Sequence, residues 1–194
     1  MTTDSIIFAG VDLSSGRKPI TMAGLDGDLN IKILEKGDSA EVLSWLQGYE
    51  QSSLAIHSPA AKSGQQIYNH LTDSLANAGF QSISRTSHLK QWLETDSQEC
   101  LHVWSGHKLL PRRSLEGRLQ RCAILYDQGV QLTDPVDMLE EITRYKLIQG
   151  VLPLENLPSV NELDALAAAY LAWVSINRPG QTIQKGKLVL PASE

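Results

Sequence analysis

Ile6-Ile7-Phe8-Ala9-Gly10-Val11-Asp12-Leu13-Ser14-Ser15-Gly16 is the stretch on which the fold turns. An apolar run of strand length ends in a carboxylate and breaks at once into small and polar residues. A buried strand that delivers one acid to the rim of a sheet has this pattern. Downstream, Lys18 to Leu25 predicts a second strand, Asp26-Gly27-Asp28 a hairpin turn, and Leu29 to Leu34 a third strand through its period-two alternation. Three strands joined by short turns make an antiparallel meander.

The period then changes. Asp38 or Ser39 caps a helix carrying Val42, Leu43, Trp45 and Leu46. Ser53 to His57 reads as a short strand stopped by Ser58-Pro59, and a helix follows from Gly64 to Ala78. Ser82-Ile83-Ser84 is a short strand, Leu89 to Leu93 a helix, and Glu99 to Trp104 another buried strand. Helices are expected from Ser114 to Gln128, from Asp134 or Pro135 to Gln149, and, most strongly, from Ser159 to Ile176, with a loop over Val151 to Pro158 and a terminal strand or hairpin in Gln181 to Leu190. A meander followed by alternating helix and strand is an α/β fold with a mixed sheet flanked by helices. The 194 residues read as one domain with a helical insertion around 105–158.

Composition narrows the function. A hydrophobic share of 42% with 20% charged residues suits a soluble globular chain, and no apolar run approaches the roughly 18 residues of a membrane span. The N-terminus lacks the features of a secretory signal, so the expected compartment is the cytoplasm and no membrane partner is expected. Cys100 and Cys122 have neither CxxC nor Cys/His ligand spacing and read as buried, reduced thiols. A net charge of −5 opposes non-specific nucleic-acid binding by the whole surface but leaves room for a local basic groove. Walker A, GxGxxG, GxSxG and HExxH motifs are all missing, which removes the usual support for nucleotide-cofactor, serine-hydrolase and zinc-protease readings.

Several side chains carry candidate chemistry. Asp12 is either a metal-ligating carboxylate at a strand end or an Asx-turn residue. Ser159-Val160-Asn161-Glu162 fits a capping box, a structural role for Glu162. Asp164 sits among Ala167, Ala168 and Leu171, on a face that must pack closely on the sheet. A carboxylate there is partly desolvated and needs a cation, a donor or a proton. Glu99, at the start of its expected strand, would complete an acidic cluster suited to Mg²⁺ or Mn²⁺. His57 ends a strand as a structural residue, a ligand or a proton-transfer group. Lys108, Arg112, Arg113, Arg118 and Arg121 form a basic segment suited to phosphate recognition and so to nucleic acid, with solvated surface charge as the alternative.

The segments FAGVDLSSG, LAIHSPA, ECLHVWSGHKLLPRRSLEGRLQR and NELDALAAAYLAW occur in the order of the domain-of-unknown-function 429 family, predicted nucleases of RNase-H-like fold, which the chain resembles from about residue 6 to 176. The resemblance implies three antiparallel strands and then αβαβα, with acids meeting at one edge to bind two divalent ions. Carried over, Asp12 matches the first-strand acid, Glu99 the strand-borne Glu and Asp164 the last-helix acid, with Lys108, Arg113 and Arg118 in the basic segment. His57 stands where the family commonly has Asp. That loses a negative charge and an oxygen ligand, weakening Mg²⁺ binding. Two functions follow: a metal-dependent nuclease or phosphodiesterase, impaired by His57, or an inactive module of the same fold that binds nucleic acid or a protein partner.

Overall fold

The computed structural model describes residues 6–58, 62–83, 89–151 and 157–192. Its first three strands, β1 (Ile6–Asp12), β2 (Ile20–Leu25) and β3 (Ile31–Gly37), form the expected antiparallel meander. After them come α1 (Ser39–Gln47), β4 (Gln51–His57), α2 (Lys62–Asn77), β5 (Gln81–Ser82) and β6 (Lys90–Thr95). The remainder is α3 (Ser97–Ser105), α4 (Leu115–Asp127), α5 (Pro135–Gln149), α6 (Val160–Asn177) and the hairpin β7 (Thr182–Lys185) and β8 (Leu188–Pro191). The strands make one mixed sheet in the order β3-β2-β1-β4-β6-β8-β7, with β5 also beside β6. β4 joins β1 and β6 joins β4 in parallel, so the α/β class and the mixed sheet are as expected.

Two assignments between residues 89 and 105 are reversed. The segment Leu89 to Leu93, expected as a helix, lies largely in strand β6, whose inward positions are Gln91, Leu93 and Thr95. Two of those three are polar, which hides the alternation. Each is satisfied inside: Gln91 donates to Ser53 Oγ at 3.2 Å and Thr95 Oγ1 to the Val189 carbonyl at 2.9 Å. Glu99 to Trp104, expected as a strand, is helix α3. Asp96 caps it by accepting from the amides of Gln98 and Glu99, and Gly106 ends it in the left-handed region at φ 63°. Asp96 followed three residues later by Glu99 is an N-terminal helix signal that outranks the apolar run. Of the expected Ser82-Ile83-Ser84 strand, Ser82 lies in β5 and Ile83 lies just beyond it. Pro59, Ser84 and residues 152–156 of the expected loop lie outside the described residues.

Alternation divides β1 between two cores. Ile7, Ala9 and Val11 pack with Leu54 and Ile56 of β4 against Val42, Leu46, Leu71 and Leu75 of α1 and α2. Phe8 and Ala55 face the other way, into the core built by α3, α4 and α6. α6 is buried at every position from Leu163 to Ala172. Each of its fully buried leucines contributes roughly 1.5–3 kcal/mol. The approach is possible because Gly10 has no side chain: a Cβ there would lie 2.0 Å from the Ala165 carbonyl oxygen and 2.3 Å from the Ala169 amide nitrogen. Cys100 and Cys122 are free and buried in the same core.

Candidate metal centre

The Gly10–alanine contact sets where the acids meet. Asp12, two residues beyond Gly10, faces α6 from the end of β1, and Asp164 sits one turn before Ala168 on the helix laid across that strand. The parallel pairing puts His57 of β4 in register with Asp12, at the same rim of the sheet. The three side chains are buried, and one ligand-type atom from each lies within 4.8 Å of the others. Strand register brings Asp12 and His57 together, and helix packing adds Asp164.

Asp12 forms the Asx turn and keeps one oxygen unpartnered. Its Oδ1 accepts from the Ser14 amide at 2.8 Å, an Asx turn, while its Oδ2 is buried with no hydrogen-bond partner. An unsatisfied carboxylate oxygen in the interior is costly and calls for a cation or a proton. His57 Nδ1 accepts from the Ser97 backbone amide at 3.0 Å. Asp96 Oδ1, at 4.0 Å, is too distant to hydrogen-bond the same nitrogen. The Ser97 amide therefore selects the tautomer, leaving Nε2 as the protonated nitrogen of the neutral ring. A ring engaged this way presents a donor at Nε2. Ser97 also donates its hydroxyl to the Asp164 carbonyl at 2.7 Å, tying α3 to α6.

Asp164 is fully buried, and both carboxylate oxygens are engaged: Oδ1 by the Gln98 side-chain amide and Oδ2 by Arg112 Nη2. Its carboxyl is raised to about 6, mainly by burial and in part by Asp12, with Arg112 and His57 holding the rise back. Arg112 Nη2 also donates to Ser14 Oγ at 3.1 Å, closing the site over the turn that follows β1.

Most of the basic segment turns inward. Arg121 is buried at 2% exposure; it donates to the carbonyls of Leu110 and Gly117 at 3.2 and 2.7 Å and to Gln98 Oε1 at 2.8 Å, so it orients the amide that holds Asp164. Burial lowers its affinity for its proton, and the Asp164 charge offsets this. Arg118 donates to the carbonyls of Leu157 and Pro158, fastening α4 to the start of α6. Lys108 and Arg113 remain exposed. Glu99 is not on a strand but in the first turn of α3, exposed, lining a separate groove with His102, Trp104, Tyr170 and Arg178. The capping box of α6 forms as expected, with the Ser159 amide donating to Glu162 Oε2 at 2.5 Å. Sequence reading missed Ser14, Ser97 and Gln98. Only the cap spacing of Asp96 and Glu99, which turns residues 97 and 98 into the first turn of a helix, could have pointed to the last two.

These residues fit one divalent cation. Two carboxylates at a buried strand rim are the oxygen donors that Mg²⁺ and Mn²⁺ prefer, and Asp12 Oδ2 is free to bind. Asp164 already has Arg112 on it directly and Arg121 behind Gln98, so an ion at Asp164 would compete with Arg112. With Glu99 elsewhere, the cluster lacks the third carboxylate that a second ion calls for. No protein-family model, curated protein or solved structure matches the chain. Among the described residues no helix is long and apolar enough to cross a membrane.

Proposed function

We propose that the chain is a metal-dependent phosphodiester hydrolase, a nuclease of RNase-H-like architecture, working with a single Mg²⁺ or Mn²⁺. The observation that carries this is the buried, unpartnered Oδ2 of Asp12 beside Asp164 and His57. The strand order supports it: a meander and then parallel β4 and β6 is the arrangement the resemblance to that nuclease family implies. Asp12 and Asp164 would hold the ion, which when bound supplies Lewis acidity and a water of lowered pKa. His57 presents a ring proton beside the carboxylates. Lys108 and Arg113 are the exposed cations left to meet a nucleic-acid backbone.

A specific observation favours a second reading, the inactive module binding nucleic acid or a protein partner. Arg112 sits on Asp164 as a permanent cation would, and the family resemblance implies that His57 stands in the place of a carboxylate. Thermal unfolding with increasing Mn²⁺ and Mg²⁺, on wild type, Asp12→Asn and His57→Asp, separates the two. The hydrolase reading expects stabilisation by Mn²⁺ that vanishes in Asp12→Asn and grows in His57→Asp, with cleavage of single-stranded DNA or RNA following the same order. No metal response in any variant overturns it in favour of the inactive module.

A further inference from the structure

We infer that Arg112 is a resident counter-ion which competes with the divalent cation for Asp164 and passes to a phosphodiester when that cation binds, so that cation and phosphodiester bind cooperatively through one side chain. This rests on the hydrolase reading. Three features of the arginine point to it.

First, its backbone is fixed while its side chain is not. Pro111 is pressed against Gly117, where a Cβ would lie 2.0 Å from the Pro111 carbonyl oxygen. The Leu110 amide donates to Gln120 Oε1 at 2.7 Å, and the Leu110 carbonyl accepts from Arg121 at 3.2 Å. The side chain of Arg112, by contrast, is 35% exposed, against 0% for Asp164. Release thus requires only rotation about side-chain bonds toward solvent.

Second, the site satisfies the guanidinium incompletely. Among the described residues its hydrogen bonds run through Nη2, to Asp164 and Ser14, while Nε is buried with no partner. A guanidinium is a planar fork whose Nε and Nη edge matches two oxygens of a phosphate. A phosphodiester would supply the acceptor that the resting site denies to Nε. Arg121 shares the buried, unpartnered Nε and differs in the rest: its two terminal nitrogens reach three acceptors and the side chain is buried, so it stays in place.

Third, the charges forbid simple addition. Asp164 already faces Arg112 and feels the charge of Arg121, and a divalent ion inserted beside Arg112 would meet a like charge in a buried setting. Exchange removes the conflict: the ion takes Asp164 and Asp12, and Arg112 takes the phosphate. Because coupling is reciprocal, each ligand must tighten the other by the same factor.

The test is calorimetric titration of Mn²⁺ into wild type and Arg112→Met, with and without millimolar dimethyl phosphate as the phosphodiester probe. Loss of the competitor should tighten Mn²⁺ at least tenfold in Arg112→Met. Dimethyl phosphate should tighten Mn²⁺ several-fold in wild type and not at all in Arg112→Met. Equal or weaker Mn²⁺ binding in Arg112→Met than in wild type overturns the competition while leaving the hydrolase reading standing. Absence of Mn²⁺ binding in both proteins overturns the hydrolase reading and the inference with it. Should Arg112→Met not fold, Arg112→Lys decides: it keeps the charge without the fork, so Mn²⁺ binding should persist and the response to dimethyl phosphate should disappear. An undiminished response in Arg112→Lys refutes the role of the fork.

Discussion

Gly10→Ala is the substitution that tests how the fold makes the site. The new methyl carbon would be placed 2.0 Å from the Ala165 carbonyl oxygen and 2.3 Å from the Ala169 amide nitrogen. Both obstacles are backbone atoms of the buried stretch of α6, so no side-chain rotation relieves the clash. Ordinary Cβ contact begins at 3.4 Å, so α6 must retreat from β1 by about 1.4 Å. Overpacking of this sort costs about 1–3 kcal/mol, and here the upper end or beyond is expected, because the retreat also loosens the buried leucines of α6. Asp164 travels with the helix while Asp12 and His57 stay with the sheet, so Mn²⁺ stabilisation should fall along with fold stability. Gly24→Ala is the control. Its Cβ would lie 2.0 Å from a ring carbon of Trp45 and 2.9 Å from Ile33 Cγ2, side-chain atoms of partly exposed residues rather than backbone. Urea unfolding should rank Gly10→Ala well below Gly24→Ala. A Gly10→Ala protein within about 0.5 kcal/mol of wild type, or as stable as Gly24→Ala, would refute the claim that this contact positions the acids.

Two further outcomes follow from the site. Asp164 is an acid whose folded pKa, about 6, lies above its ordinary value of 3.8, so the folded state binds its proton more tightly; the stability this confers is full below the ordinary value and is lost as pH rises through about 6. The loss is on the order of 3 kcal/mol from this residue, and urea unfolding of Asp164→Asn between pH 4 and 7 should lack that downward slope, whereas an unchanged slope would refute the assignment. Arg121→Ala leaves the Leu110 and Gly117 carbonyls and Gln98 Oε1 without their donor, and should destabilise by about 3 kcal/mol or more; a change under 1 kcal/mol would return Arg121 to the surface role its sequence position suggested.

Local physics made much of this molecule legible from its sequence. The apolar run ending at Asp12, the turn-separated meander and the capping box of Ser159 and Glu162 each depend on residues a few positions apart, so period and spacing suffice to read them. The burial of Asp164 was legible too, because an acid inside an Ala-rich helix face has nowhere else to go. Tertiary structure decided the rest. The strand over Lys90 to Thr95 is hidden because two of its three inward positions are polar and find partners in Ser53 and Val189, distant residues invisible in a local window. The basic segment could not declare its direction either. Lys108 and Arg113 stay outside while Arg112, Arg118 and Arg121 turn in, and the difference lies in where the carbonyls of residues 110, 117, 157 and 158 and the carboxylate of Asp164 come to rest. Sequence determined which residues carry charge and which strand delivers the first acid. Packing determined whom each charge meets, because a charge in the interior is placed by its partners and those are brought together only when α6 crosses β1 at Gly10.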